Sequence, residues 1–189
     1  VNVVGFTLEE YAEVIARLEV VAGHAGYELN LSCPNTSAGG VEFGADPASV
    51  RAVVSRCRAV TSRPLFAKLS PALPDIPGIA AVAHEAGADG ISLVNTMPGY
   101  LFDGAAPRLG NGFGGVSGPA LFPTGVLAVK RTAARLPGVP IIGIGGIRSA
   151  DDVRDCLRAG AWLVASGTAG LADPRCPERI VRELEQHGG

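Results

Sequence analysis

The chain has 189 residues, 47% of them hydrophobic, with a net charge of −2 and no clustering of its Lys and Arg. A chain of this kind buries a substantial core as one domain and offers no basic stripe to a nucleic acid. No apolar run approaches the roughly 18–20 residues that span a bilayer, and no signal peptide is visible, so a soluble cytoplasmic protein is expected. Aromatics are scarce at 5%, whereas Gly (26) and Pro (14) are plentiful. Many tight turns between Val-, Ile- and Ala-rich segments follow from that composition.

In chain order, residues 1–5 read as a short strand. Thr7 caps a helix over 8–22, with Glu10 completing a capping box. Residues 27–32 (YELNLS) form a strand, with Tyr27, Leu29 and Leu31 on one side and Glu28, Asn30 and Ser32 on the other. Cys33 follows directly, and Pro34 and Asn35 break the strand. A glycine-rich loop (36–44) leads to a helix over 46–60, a strand over 64–69, a helix over 76–86 and a strand over 90–95. A long glycine-rich connection runs from Met97 to about Pro119. A helix (123–136), a strand (140–144), a helix (150–159), a strand (162–166) and a closing helix (177–185) complete the chain.

Strands and helices alternate about six times, and the strands are apolar enough to be covered on both faces. That pattern predicts a parallel sheet with right-handed crossovers. The connections after the strands carry the Gly, Asn, Lys and Cys residues, so the site is expected at the strands' C-terminal ends. The last two strands end in GIGG (Gly143–Gly146) and SGT (Ser166–Thr168). Paired glycine loops at that place bind phosphate in a (β/α)₈ barrel. A barrel needs eight strands, and the sequence opens on Val beside a strand. The expectation is therefore a single domain over 1–189, the C-terminal three-quarters of such a barrel, with about two leading strand–helix units outside the sequence. A complete six-unit flavodoxin-like sheet is the alternative.

Four cysteines (33, 57, 156 and 176) form no CxxC pair, so neither a zinc site nor an iron–sulfur cluster is encoded. Cys57 and Cys156 fall in helical patterns and read as small core hydrophobes. Cys176 lies between prolines without chemical company, which leaves Cys33 as the thiol in a functional context. Lys68 shares the parity of Phe66 and should point into the cleft. There it either closes an internal salt bridge or faces a cofactor that becomes anionic. Asn30, Asn35 and Asn95, with Thr96, would place carboxamides around one mouth, which suits a flat, hydrogen-bonding heterocycle. Gly114, Gly115 and Gly118 would let the backbone approach a ligand closely. His24, His84 and His187 lack a partner motif and read as surface residues. Ser149 caps a helix whose first turn carries Asp151 and Asp152.

The segments NLSCPN (Asn30–Asn35), KLSP (Lys68–Pro71), VNT (Val94–Thr96), GGVSGPA (Gly114–Ala120), IIGIGGI (Ile141–Ile147) and SGTA (Ser166–Ala169) resemble the FMN-dependent dihydroorotate dehydrogenases of pyrimidine biosynthesis. The resemblance implies a (β/α)₈ barrel that oxidises dihydroorotate to orotate. By it, Cys33 is similar to the catalytic base, and a cysteine rather than a serine there implies the soluble class 1. Asn30, Asn35, Asn95 and Thr96 resemble the substrate-binding residues. Asn30, Lys68, Val94, Gly118, Gly145, Gly146, Gly167 and Thr168 resemble those that hold FMN.

GGVSGPA resembles class 1B, whose partner subunit carries FAD and an iron–sulfur cluster and leads electrons to NAD. The GFGG wording is similar to the fumarate-using class 1A homodimers. Phe122 and the MPGYLFD segment depart from the family pattern. A homodimer with an electron-transfer subunit is the implied assembly. Other readings are an FMN barrel of dihydropyrimidine dehydrogenase type, or a phosphate-ligand-binding barrel piece without turnover. If the polypeptide begins at Val1, weak FMN binding is expected.

Overall fold

The computed structural model describes residues 1–32, 34–35 and 41–186, with backbone alone at 34, 35 and 41. Six strands form one curled parallel sheet: β1 (Asn2–Val3), β2 (Tyr27–Asn30), β3 (Leu65–Leu69), β4 (Gly90–Leu93), β5 (Ile141–Ile144) and β6 (Leu163–Ala165). Each strand pairs with its neighbours in chain order. The helices α1 (Leu8–Leu18), α2 (Pro47–Arg58), α3 (Ile76–Glu85), α4 (Phe122–Arg135), α5 (Ala150–Ala159), α6 (Thr168–Ala172) and α7 (Cys176–Gln186) complete the alternation. Successive helices pack on one another, α1 on α2 through to α5 on α7.

Sequential strand order with a single helix layer decides between the two expected architectures. A doubly wound sheet reverses direction at its switch point and places helices on both faces. Every crossover here runs the same way, so the chain curls as a (β/α) barrel does.

The side of the strands facing the helices carries the core. Tyr27, Leu29, Leu65, Ala67, Leu69, Ile91, Leu93 and Ile141 are at most 2% exposed, and they meet Val50, Val53, Val54, Ile79, Ala80 and Val129. Each large side chain buried there contributes about 1.5–3 kcal/mol. Cover on both faces holds only for β4, where all four residues are buried. In β2, β3 and β5 the other parity is half-buried, because it lines the concave side of the curl.

Local signals placed the helix starts well. Thr7, Asp46, Asp75 and Ser149 each accept a first-turn amide, and Ser149 with Asp152 forms a complete capping box. At α1 the Glu10 carboxylate instead accepts from the amide of Phe6, one residue before the cap (2.7 Å). That helix ends at Leu18, not Ala22. Glu19 keeps helical dihedrals as the C-cap, and its carboxylate accepts from the Tyr27 hydroxyl (2.8 Å) and the Thr61 hydroxyl (2.6 Å).

Several features escaped the sequence reading, among them the short antiparallel pairing of Pro34–Asn35 with Val41–Glu42. The connection after β4 contains two antiparallel ribbons, Met97–Gly99 with Gly114–Val116 and Phe102–Asp103 with Ala106–Pro107. The short helix α6 follows Gly167.

Two expectations about single residues are corrected. Cys176 is 1% exposed and opens α7, its thiol 3.6 Å from the Arg148 carbonyl. His24 is half-buried and hydrogen-bonded to the Tyr27 hydroxyl (2.8 Å). His84 is exposed as expected, and His187 lies outside the described residues. Cys57 and Cys156 are core residues, and burial pushes their thiols up to about 12 and about 11. Among the described residues no helix is long and apolar enough to cross a membrane, and no metal-ligating cluster forms.

Candidate active site

The polar residues singled out from the sequence gather where the strands end. Asn30 is the last residue of β2, and Asn95 follows β4. They meet across the top of β3, where the Asn95 amide nitrogen donates to Asn30 Oδ1 at 3.0 Å. The Ser32 amide donates to the same oxygen at 3.4 Å. Asn95 Oδ1 accepts from the Thr96 amide at 2.8 Å, so its carboxamide bridges two segments. Beneath Asn30, the buried Tyr11 of α1 donates its hydroxyl to the Asn30 carbonyl at 2.6 Å and turns its ring edge to Phe43. Two of the three expected carboxamides therefore converge. The side chain of Asn35 lies outside the described residues, as does Cys33.

Lys68 of β3 stands beside Asn30 in register, on the concave side of the sheet. Its ammonium is 4.0 Å from Glu28 Oε2, with both side chains about one-fifth exposed (20% and 23%). At that distance the pair attracts without a hydrogen bond. The two readings of Lys68 are thus compatible: a carboxylate lies near it, and the residue still lines the open face.

The glycine signals form a second cluster. Gly118, Gly145 and Gly146 hold φ of +86°, +115° and +75°. At Gly146 a Cβ would stand 2.7 Å from the Gly118 carbonyl oxygen and 2.9 Å from the Phe122 nitrogen. Only glycine combines that conformation with that approach. A cavity of about 210 Å³ opens beside it, lined by Gly118, Gly146, Arg148 and Thr168 among others. The Thr168 hydroxyl donates to Ser117 Oγ at 2.9 Å and ties the end of β6 to the GGVSGP segment. Gly167 differs: its φ is −103°, and a Cβ there would meet no atom within 4 Å. Packing does not demand glycine at that position.

Val94 is 1% exposed, and its Cγ2 packs toward Gly125 and Gly145. Its side chain therefore belongs to the core under the mouth, and only its backbone is in reach of a ligand there. Gly115, from the same motif as Gly118, closes on the Thr96 side chain.

Three participants were not singled out from the sequence. Arg148 adds a cation to the glycine cavity. Asn2 donates to Glu28 Oε2 at 2.6 Å. Glu42 pairs with Pro34 in a short ribbon, and burial raises its carboxyl above the usual range against a lowering hydrogen bond from Ser70. No local motif marks any of them; each is recognisable only by what it faces. A larger cavity, about 610 Å³, lies instead on the outer layer between residues 71–77 and α4. It gathers no comparable set of convergent amides and hydroxyls.

The sequence profile of the family described as Dihydroorotate dehydrogenase matches residues 1–187. A protein of Solibacter usitatus, provisionally named a dihydroorotate dehydrogenase A (fumarate), is 48% identical over 97% of this chain and 60% of its own length. The dihydroorotate dehydrogenase B (NAD(+)) catalytic subunit of Geobacter sp. (strain M21) is 44% identical over 99% of this chain and 62% of its own. That of Desulforudis audaxviator is 45% identical, over 99% and 61%. The chain thus spans about three-fifths of the length of these relatives. It belongs to the dihydroorotate dehydrogenase family.

Proposed function

We propose that this chain carries the reaction centre of a dihydroorotate dehydrogenase, oxidising dihydroorotate to orotate with FMN as the electron acceptor. The observation that carries this reading is the Asn30–Asn95 carboxamide pair, beside Lys68 on the concave face and on the same mouth as the glycine cavity. Those residues suit FMN. Gly118, Gly145, Gly146, Gly167 and Thr168, with Arg148, offer close backbone approach and a cation to a phosphate. Lys68, Asn30 and the Val94 backbone would meet the ring. Gly167 supports this fit, since none of the described residues fills the space before it.

When bound, FMN supplies a two-electron acceptor for the hydrogen that leaves C6 of dihydroorotate as hydride. Cys33 takes the C5 proton as thiolate, so that the C5–C6 double bond forms and the charge balances. A free thiol titrates near 8.5, so a minority is thiolate at neutral pH unless its surroundings favour the anion. Asn30, Asn35, Asn95 and Thr96 orient the planar substrate through paired donors and acceptors. The Asn30–Asn95 contact fixes two of these carboxamides before substrate arrives. Lys68 places positive charge where negative charge develops.

The B-type relatives, named NAD(+) catalytic subunits, favour NAD as final acceptor; the route we propose to it is a partner subunit carrying FAD and an iron–sulfur cluster. The A-type relative, at 48% identity, favours fumarate as the second reading. A cytoplasmic homodimer is the assembly we propose.

Orotate formation followed by absorbance, with NAD and the partner subunit or with fumarate alone, distinguishes these acceptors. Cys33→Ala should lower turnover by about 10²–10⁴-fold with FMN still bound. Unchanged turnover would remove Cys33 from the role of base. FMN binding without orotate formation under any acceptor would favour another pyrimidine or a non-catalytic barrel.

A further inference from the structure

We infer that Glu28, held by Asn2, is a positioning residue for Lys68: a polar strut, exposed at its Asn2 end, running across three strands beneath the candidate flavin site. Nothing in the motifs marks it. Glu28 is the polar-parity residue of β2 one step below Asn30, and it faces the concave side with Lys68 of β3. Asn2 of β1 is its register partner on the other flank. The carboxylate oxygen that Asn2 binds at 2.6 Å is the one that lies 4.0 Å from the Lys68 ammonium. One oxygen therefore serves both neighbours.

The arrangement has a physical purpose. An ammonium four-fifths removed from water is costly without an anion nearby. A carboxylate in direct contact would lower that cost but would also occupy the ammonium's donors and cancel its charge. A carboxylate at 4.0 Å stabilises the cation through space while forming no hydrogen bond to it. The donors of Lys68 stay available to a ligand at the mouth. Asn2 keeps the carboxylate from swinging up to close the gap, because it already holds that oxygen.

The layer is closed on the far side by packing. Phe66 is in register between Glu28 and Gly90. Its ring lies over Gly90 so closely that a Cβ there would collide with it. The Ser92 hydroxyl, in register with Lys68, is fully buried and has no hydrogen-bond partner among the described residues. Lys68 therefore has one carboxylate below it and a neutral, dry wall beside it. Its placement depends on Glu28.

This inference rests on the proposed flavoenzyme reading for its consequence, though not for its geometry, and two measurements separate them. In the FMN-free chain, Glu28→Gln should lower the midpoint of thermal unfolding by about 3 °C, and adding Lys68→Met should restore most of that loss. The restoration follows because the second change removes the uncompensated cation. Additive losses in the double variant would overturn the strut.

In the FMN-loaded chain, Glu28→Gln should weaken the preference for reduced over oxidised FMN about tenfold, a fall of about 30 mV in a two-electron midpoint potential. The same change in a Lys68→Met background should shift the preference by no more than about twofold. A shift of equal size in both backgrounds would mean that Glu28 acts on the flavin directly and not through Lys68, overturning the positioning role. Asn2→Ala should reproduce part of the Glu28→Gln shift, again only where Lys68 is present. A full-length protein that binds no FMN would sink the flavoenzyme reading, while the unfolding cycle would still decide the strut.

Discussion

Replacing Gly146 with alanine probes the glycine cradle at the position where fold and ligand site coincide. The residue sits at φ +75°, where an L side chain costs about 1–2 kcal/mol. Its new Cβ would stand 2.7 Å from the Gly118 oxygen, 2.8 Å from Phe122 Cβ and 2.9 Å from the Phe122 nitrogen. Two of those atoms are backbone, so relief requires moving the Gly118–Phe122 turn, an overpacking cost of about 1–3 kcal/mol. A total of about 3 kcal/mol corresponds to a fall of about 9 °C in the unfolding midpoint for a chain of this size. Because the turn carries Gly118, FMN affinity should fall by tenfold or more with it.

The matched control is Gly167→Ala. Its φ of −103° is unstrained and its Cβ meets no atom within 4 Å, so stability should stay within about 0.5 kcal/mol. If a phosphate occupies the space in front, FMN affinity should nevertheless drop. Thermal melts by circular dichroism and fluorescence titration with FMN read both quantities. A Gly146→Ala protein that melts with the parent would refute the geometry of the cradle. A Gly167→Ala protein with undiminished FMN affinity would remove Gly167 from the site.

The buried thiols predict how stability depends on alkaline pH. Burial raises Cys57 to about 12 and Cys156 to about 11, well above the ordinary thiol range. Above pH 9 the unfolded chain releases protons that the native chain keeps, so stability falls by up to about 1.4 kcal/mol per pH unit for each thiol. The loss should run from pH 9 toward 11–12, and urea midpoints should fall less steeply in Cys57→Ala. An unchanged slope would contradict the burial argument. Tyr11→Phe removes the hydroxyl donor to the Asn30 carbonyl and should cost about 1 kcal/mol. It should also raise KM for the substrate more than it lowers kcat, because Asn30 loses its support; an unchanged KM would argue against that link. Ser149→Ala should cost about 1 kcal/mol through loss of the capping box at α5, with no change in FMN affinity.

What the sequence determined by itself was whatever rests on short-range chemistry. Helix starts were legible because Thr7, Asp46 and Ser149 act within three residues of themselves. The alternation of strands with helices was legible from apolar periodicity, and the glycine motifs from conformations that other residues avoid. Helix ends were less so: α1 stops at Leu18, where the Glu19 cap still has helical dihedrals and its carboxylate is held by Thr61, more than forty residues away. The ribbons after β4 were hidden because a strand pair rich in Gly and Pro lacks the pattern that identifies a strand.

The architecture itself was decided at long range. Periodicity allowed both a barrel and a doubly wound sheet, and only the order in which strands pair separated them. The candidate site was legible as a set of residue types and illegible as an arrangement. Asn30 and Asn95 are far apart in the chain and meet because β2, β3 and β4 are adjacent. Asn2, Glu28 and Lys68 share a face because register aligns three strands. A side chain's identity is written locally, but its partner is set by the pairing of strands, and that pairing gives Lys68 its carboxylate and the mouth its shape.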